Sequence, residues 1–270
     1  MKKWVIIEKE VGQTPLQAVE AYKAWAPGLT DVKMAYAGRL DPMASGKLLV
    51  LLGDECKKQD YYHSLDKTYE VEVLLGVGSD SGDVLGLGKT CSMKKSLRMK
   101  LIEAVRSLRG DFRALYPPFS SKPVNGQPLF MWALEGRLDE ITIPRQHGYI
   151  HNISIKKVEE RTGQAIHDTA LEKVHSLQTV TEETNALGAD FRRQEVSDTW
   201  KRFLNKYNEE TFTVMTITVT CTAGTYMRSV ADEIGKKLDG CALAYSINRT
   251  HIGRKLWLPF GLSLWMRKFV

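Results

Sequence analysis

The sequence reads as an α+β domain built on a mixed sheet. Strand-like and helix-like segments alternate irregularly along the chain, unlike the regular winding of a Rossmann-type fold. Lys67 to Gly76 sets Tyr69, Val71, Val73 and Leu75 against polar neighbours, the period of a half-buried strand. Thr211 to Thr220 is rich in β-branched residues and reads the same way.

The remaining elements follow in order. Trp4 to Ile7 is a short buried strand. Pro15 to Ala26 is helical, with Leu16, Val19, Tyr22 and Trp25 on one face. Residues 33–47 are dense in Gly, Pro, Ala and charge and read as a loop, after which Leu48 to Leu52 forms an apolar strand. Cys56 to His63 reads as a short helix, and Ser79-Asp80-Ser81-Gly82-Asp83 as a turn. Ser96 to Leu108 is helical, with Leu97, Leu101, Val105 and Leu108 in register, and Ile150 to Val158 is a strand. The alternation of the 211–220 strand slips at Val214-Met215, which implies a bulge. Gly224-Thr225 then opens a helix, Thr225 acting as N-cap, with Met227, Val230, Ile234 and Leu238 on its apolar face.

Residues 160–210 stand apart. They are polar and hold seven basic and ten acidic residues, a net charge of −3 in a chain of net charge +6. They read as an inserted, mostly helical excursion broken near Ala186-Leu187-Gly188, within a single domain spanning residues 1–270. The basic character therefore lies outside the insertion and permits a polyanionic partner.

Composition bounds the rest. A chain of 270 residues, 43% hydrophobic and 26% charged, can bury a core without cross-links. The four cysteines, Cys56, Cys91, Cys221 and Cys241, lack metal-ligand spacing, so neither a zinc site nor a disulfide framework is expected, and a reducing, cytoplasmic setting is. The apolar run at the N-terminus ends at Glu8, too short for a signal peptide, and no stretch approaches the ~20 apolar residues of a membrane helix.

Four segments could carry chemistry. Asp41 sits in the glycine-bounded loop Ala37 to Gly46, where Pro42 biases it toward an extended backbone that can present a carboxylate; the same Asp-Pro is also an ordinary turn signal. Lys67 and Tyr69 share one strand face, as an anion contact with a stacking ring or as a core tyrosine with a snorkelling lysine. Tyr116-Pro117-Pro118-Phe119-Ser120-Ser121-Lys122 is extended and suits a recognition loop or a connector. Arg228 lies in the first turn of a helix, where a cation opposes the dipole and is better explained by an anionic partner.

Together and in this order, these segments resemble the TruB-type tRNA pseudouridine synthases. Gly38 to Gly46 resembles the family's signature loop, Lys67-Thr68-Tyr69 its K-x-Y strand, and Ser79 to Gly86 its T-D-T-x-D-x-x-G turn. Pro117 to Gly126 resembles its proline-rich element, Gly224 to Ser229 its G-T-Y-I-R-S/T helix start, and Arg249-Thr250-His251-Ile252-Gly253 its R-T-x-x-G. The resemblance implies a mixed β-sheet flanked by helices and loops, with an RNA cleft across it. It implies isomerisation of uridine to pseudouridine, at the T-loop uridine of tRNA (position 55 in standard tRNA numbering), without cofactor or metal. Asp41 would be the nucleophile, Arg228 would hold it ionised, and Tyr69 would stack on the uracil. Tyr36, Arg39, Lys67, Lys122 and Arg249 would contact RNA or the loops that bind it. Tyr36 stands where the family places a histidine, and Arg39 where it places a small residue. Only seventeen residues follow Gly253, too few for a PUA domain, so RNA binding by the catalytic domain alone is expected. A monomer is expected as well. The apolar residues of that tail, Leu256, Trp257, Leu258, Phe260, Leu262, Leu264 and Trp265, are expected to pack on the core. Two further readings stand beside this one: a synthase acting on another RNA, and a non-catalytic RNA-binding or chaperone protein on the same scaffold.

Overall fold

A computed structural model describes residues 2–92, 98–178, 190–257 and 263–269. The strands are β1 (Trp4–Lys9), β2 (Met34–Ala37), β3 (Ala44–Leu52), β4 (Asp66–Leu75), β5 (Val77–Ser79), β6 (Gly88–Thr90), β7 (Gly110–Leu115), β8 (Pro123–Val124), β9 (Gln127–Pro128), β10 (Arg145–Thr162), β11 (Thr211–Cys221), β12 (Ala242–Trp257) and β13 (Ser263–Phe269). The helices are α1 (Pro15–Trp25), α2 (Gln59–His63), α3 (Arg98–Arg106), α4 (Leu129–Leu134), α5 (Gly163–His175), α6 (Arg193–Tyr207) and α7 (Met227–Lys237).

One mixed sheet organises the molecule. Its order is β1-β3-β12-β4-β11-β10-β7, with β2 also paired to β3 and β13 to β12. All its pairings are antiparallel except β3 with β12, joined at Ala44–Gly46 against Ile247–Arg249. The continuous apolar run of β3 follows from its position. Leu49 and Leu51 enter one core cluster, and Leu48, Val50 and Leu52 enter another beside Ala18 and Val19 of α1, so both faces are covered. The start of α1 is built locally: Thr14 caps the backbone N–H of Gln17, and the Gln17 side chain accepts from the Thr14 N–H at 2.8 Å.

Several expectations are corrected. Residues 33–47 are a loop only in their middle, because Met34–Ala37 pairs with Leu49–Leu52 as β2 and β3 already begins at Ala44. On α1, Trp25 is exposed while Val19 is buried. The slip at Val214-Met215 is no bulge. Strand β11 runs unbroken against β4, and both residues are buried because the sheet is covered on both faces there. The bulges fall in β10, near Ile150 and Ile155. The N-cap of α7 is Tyr226, while the Thr225 hydroxyl donates to Thr222 O.

The 160–210 segment begins later than expected, since β10 continues to Thr162. Its helices are seated on the core. Ile166, Ala170 and Val174 of α5 and Val196, Trp200 and Phe203 of α6 belong to the main core. Ala186-Leu187-Gly188 lies outside the described residues. Cys91 and Cys241 form a disulfide, which overturns the expectation of unpaired cysteines, whereas Cys56 and Cys221 are free and buried. The pairing escaped spacing arguments because 150 residues separate the partners in sequence. In the C-terminal hairpin of β12 and β13, Leu256 and Leu264 are exposed rather than packed, and Trp265 stacks on His251. Leu258, Phe260 and Leu262 lie outside the described residues. Among the described residues no helix is long and apolar enough to cross a membrane.

Candidate active site

Asp41 stands in the loop between β2 and β3, reached through Gly38 at φ +87°. The loop is tied from below. Asp41 O accepts from Ala44 N–H at 2.9 Å, and Pro42 O accepts from Gly12 N–H at 2.8 Å. Arg249, fully buried in β12, donates Nε to Lys47 O at 2.7 Å, Nη1 to Arg39 O and Nη2 to Gly38 O. Glycine at position 46 is required by this packing. Its φ is +102°, and a Cβ there would lie 2.4 Å from Arg249 O.

Arg228 faces Asp41 from the first turn of α7. Its Nε lies 2.8 Å from Asp41 Oδ2 and 3.7 Å from Asp83 Oδ2, and Nη1 donates to Ser81 O and Phe119 O. One buried guanidinium thus joins the signature loop, the Ser79–Asp83 turn and the proline-rich loop. Burial works against its charge, yet the Asp41 and Asp83 carboxylates outweigh this and hold it protonated. Asp83 is buried too. Burial raises its pKa, opposed by Arg228 and by the Ser81 hydroxyl, which donates to Oδ1 at 2.7 Å. Asp41 keeps about a third of its side-chain surface exposed, so the carboxylate is both paired and accessible.

Tyr69 lies beside this pair on β4, opposite Arg249 in the register. Burial raises its phenol pKa, the Arg249 guanidinium opposes the shift, and the charge of Asp41 adds to it. Asp41, Arg228 and Tyr69 are therefore gathered in one place. A second phenol, Tyr226, is pushed up to about 12 by burial and by the nearby Asp41 charge. Its ring meets Tyr116 edge-on at 5.5 Å, and Lys122 sits over Tyr116 at 5.3 Å. Arg39 is exposed on the loop.

Lys67 and Arg249, expected to contact RNA or the loops that bind it, lie inside the protein. Lys67 is buried, and its ammonium donates to His63 O at 2.6 Å and Leu65 O at 2.5 Å. Arg249 is spent on loop carbonyls and supports the loop from inside, whereas Lys67 bonds the turn before β4 and only packs beneath Gly38. The Tyr36 ring packs against the α1 cluster.

Sequence reasoning left three contributors without a role. Asp83 and Tyr226 stood inside matched motifs. Gln146 gave no signal at all. It is fully buried, donates to Leu115 O and Ser229 Oγ, and accepts the Tyr226 N–H at 2.9 Å, which caps α7 where a side-chain N-cap is missing. Among the described residues no cluster of three or more His, Cys, Asp or Glu side chains could hold a metal.

A loop carboxylate paired with a buried helix-start arginine, beside a strand tyrosine on a mixed sheet, defines the class. The profile of the TruB family pseudouridylate synthase N-terminal domain matches residues 28–176, over half the chain, and the protein belongs to that family. It is 24% identical over 249 residues to the tRNA pseudouridine synthase B of Caldicellulosiruptor saccharolyticus, covering 92% of this chain and 67% of that protein. It is 28% identical over 233 residues to the enzyme of that name from Francisella tularensis, covering 86% of this chain and 58% of that one. The fold is similar to that in a crystal structure of a Cbf5-Nop10-Gar1 complex, with a TM-score of 0.55 at 16% identity, covering 93% of this chain and 49% of that one. The matches thus span about half to two thirds of these proteins.

Proposed function

We propose that this protein isomerises uridine to pseudouridine in RNA, with the T-loop uridine of tRNA as its target. The observation that carries this reading is the Asp41–Arg228 ion pair at 2.8 Å, set in the loop that matches the family signature. The reaction breaks the bond between C1′ and N1, turns the uracil within the site and joins C1′ to C5. The proton on C5 is lost and N1 gains one, so atoms and electrons balance without an added reactant.

Asp41 supplies the nucleophile. A carboxylate attacks an electrophilic carbon of the nucleoside, and the buried guanidinium 2.8 Å away aims it. Tyr69 offers a ring face for the uracil. The target base must leave its stack to reach the site, at a cost of a few kcal/mol. Arg39 and Lys122 are the cations this reading assigns to phosphate, whereas Lys67 and Arg249 lie beneath the loop.

The test is nucleotide-resolution mapping of pseudouridine in an unmodified tRNA transcript and in an isolated T-arm stem-loop. Modification of both at the T-loop uridine is the expected result. Modification of neither would refute the tRNA assignment, and pseudouridine in another RNA alone would identify a different target.

A further inference from the structure

The structure assigns the segment entering α6 a positioning role in this site, with Arg192 as the residue that carries it; the assignment rests on the reading above. Arg192 lies beyond the residues 28–176 that match the family. Its Nη1 lies 2.7 Å from Asp80 Oδ2 and its Nη2 3.2 Å from Asp80 Oδ1, a two-pronged grip. Its guanidinium carbon also sits 4.1 Å from the centre of the Phe119 ring, within cation–π range. The residue is 17% exposed, so this contact is largely shielded from water.

Both partners of Arg192 lead to Arg228. Asp80 Oδ1 accepts the Leu87 N–H at 2.8 Å and closes the turn whose next residues hold the catalytic pair. Ser81 O and the Asp83 carboxylate face Arg228 directly, and so does Phe119 O. The same insertion touches that turn again through Trp200, whose indole N–H donates to Val84 O at 2.9 Å. On the other side, Gln178 N–H donates to Gly12 O at 3.0 Å, and Gly12 N–H holds Pro42 O, next to Asp41. This segment thus touches two of the three loops that meet at Asp41 and Arg228 directly, and the third through Gly12. Arg192 bridges two of them.

A pair with such partial exposure adds little to global stability. Its effect is geometric, and small misplacements of catalytic groups are costly in rate. The experiment compares wild type with Arg192→Ala and Arg192→Lys. It measures single-turnover pseudouridine formation in tRNA transcript, RNA dissociation constants, and hydrogen exchange at the Leu85 and Leu87 amides, which are bound by Asp83 and Asp80. Alanine should lower the single-turnover rate about tenfold, quicken exchange at both amides and leave RNA affinity within about twofold. Lysine, which keeps the charge without the fork, should stay well below the wild-type rate. Full rate in Arg192→Ala or in Arg192→Lys would overturn the assignment. So would a loss confined to RNA affinity, which would make Arg192 an RNA contact. If the wild type forms no pseudouridine, the functional reading fails by itself and exchange decides: faster exchange in the alanine variant supports the positioning role, and unchanged exchange overturns it.

Discussion

Lys67 offers a quantitative test of how the signature loop is supported. Its ammonium is buried beneath the loop, and burial lowers its pKa from 10.5 to about 7, with the neighbouring Arg249 charge adding to the shift. The sign follows from linkage. Below pH 7 the lysine is protonated in both states, and the fold bears the full cost of a buried charge. Between pH 7 and 10.5 the unfolded chain holds a proton that the folded protein has lost, so stability rises with pH. Integrating that difference from pH 7 to pH 9 gives a gain of about 2 kcal/mol for wild type. Lys67→Met cannot show this gain, while every other titrating group is common to both proteins. Urea denaturation of the two at pH 7, 8 and 9 reads the difference directly. Wild type should gain about 2 kcal/mol on the variant across this range. Parallel pH dependences would refute the reasoning and place the ammonium in water, where a phosphate could reach it.

Other perturbations address the frame around the site. Gly46→Ala puts a Cβ 2.4 Å from Arg249 O at a φ of +102° and should cost more than about 2 kcal/mol in urea denaturation. Trp200→Ala removes a fully buried indole from the main core and should cost about 3–5 kcal/mol by the same assay. Replacing Cys91 and Cys241 together by serine opens a link across 150 residues and should cost about 2–4 kcal/mol, with wild type under a dithiol reductant behaving like the double variant.

Much of the site was legible because its chemistry lies in short, ordered motifs. Asp41 is marked by its glycine-bounded loop, and Arg228 by a charge that opposes the helix dipole unless it is paired. Their meeting at 2.8 Å gives the arginine the partner its position demanded. Period-two patterning likewise located β4 and β11. What escaped depends on distant pairing. Lys67 and Arg249 look like phosphate contacts in one dimension, yet β12 threads between β3 and β4 and puts both under the loop. Gln146 serves α7 from a strand 80 residues away in sequence. The double burial of Val214 and Met215 imitates a bulge because helices cover a face that alternation assumes is wet. Polarity made residues 160–210 read as an excursion from the domain. The few apolar side chains of α5 and α6 nevertheless recur at helical spacing and seat these helices on the core.

The central claim is that Asp41, held by Arg228, attacks the nucleoside during conversion of uridine to pseudouridine. Joining C1′ to C5 expels the hydrogen on C5, so tritium release from tRNA transcript carrying 5-tritiated uridine reports the reaction itself. Wild type should release tritium stoichiometrically with one uridine per tRNA, and Asp41→Asn should release none while still binding the RNA. Release by Asp41→Asn at the wild-type rate would contradict the account.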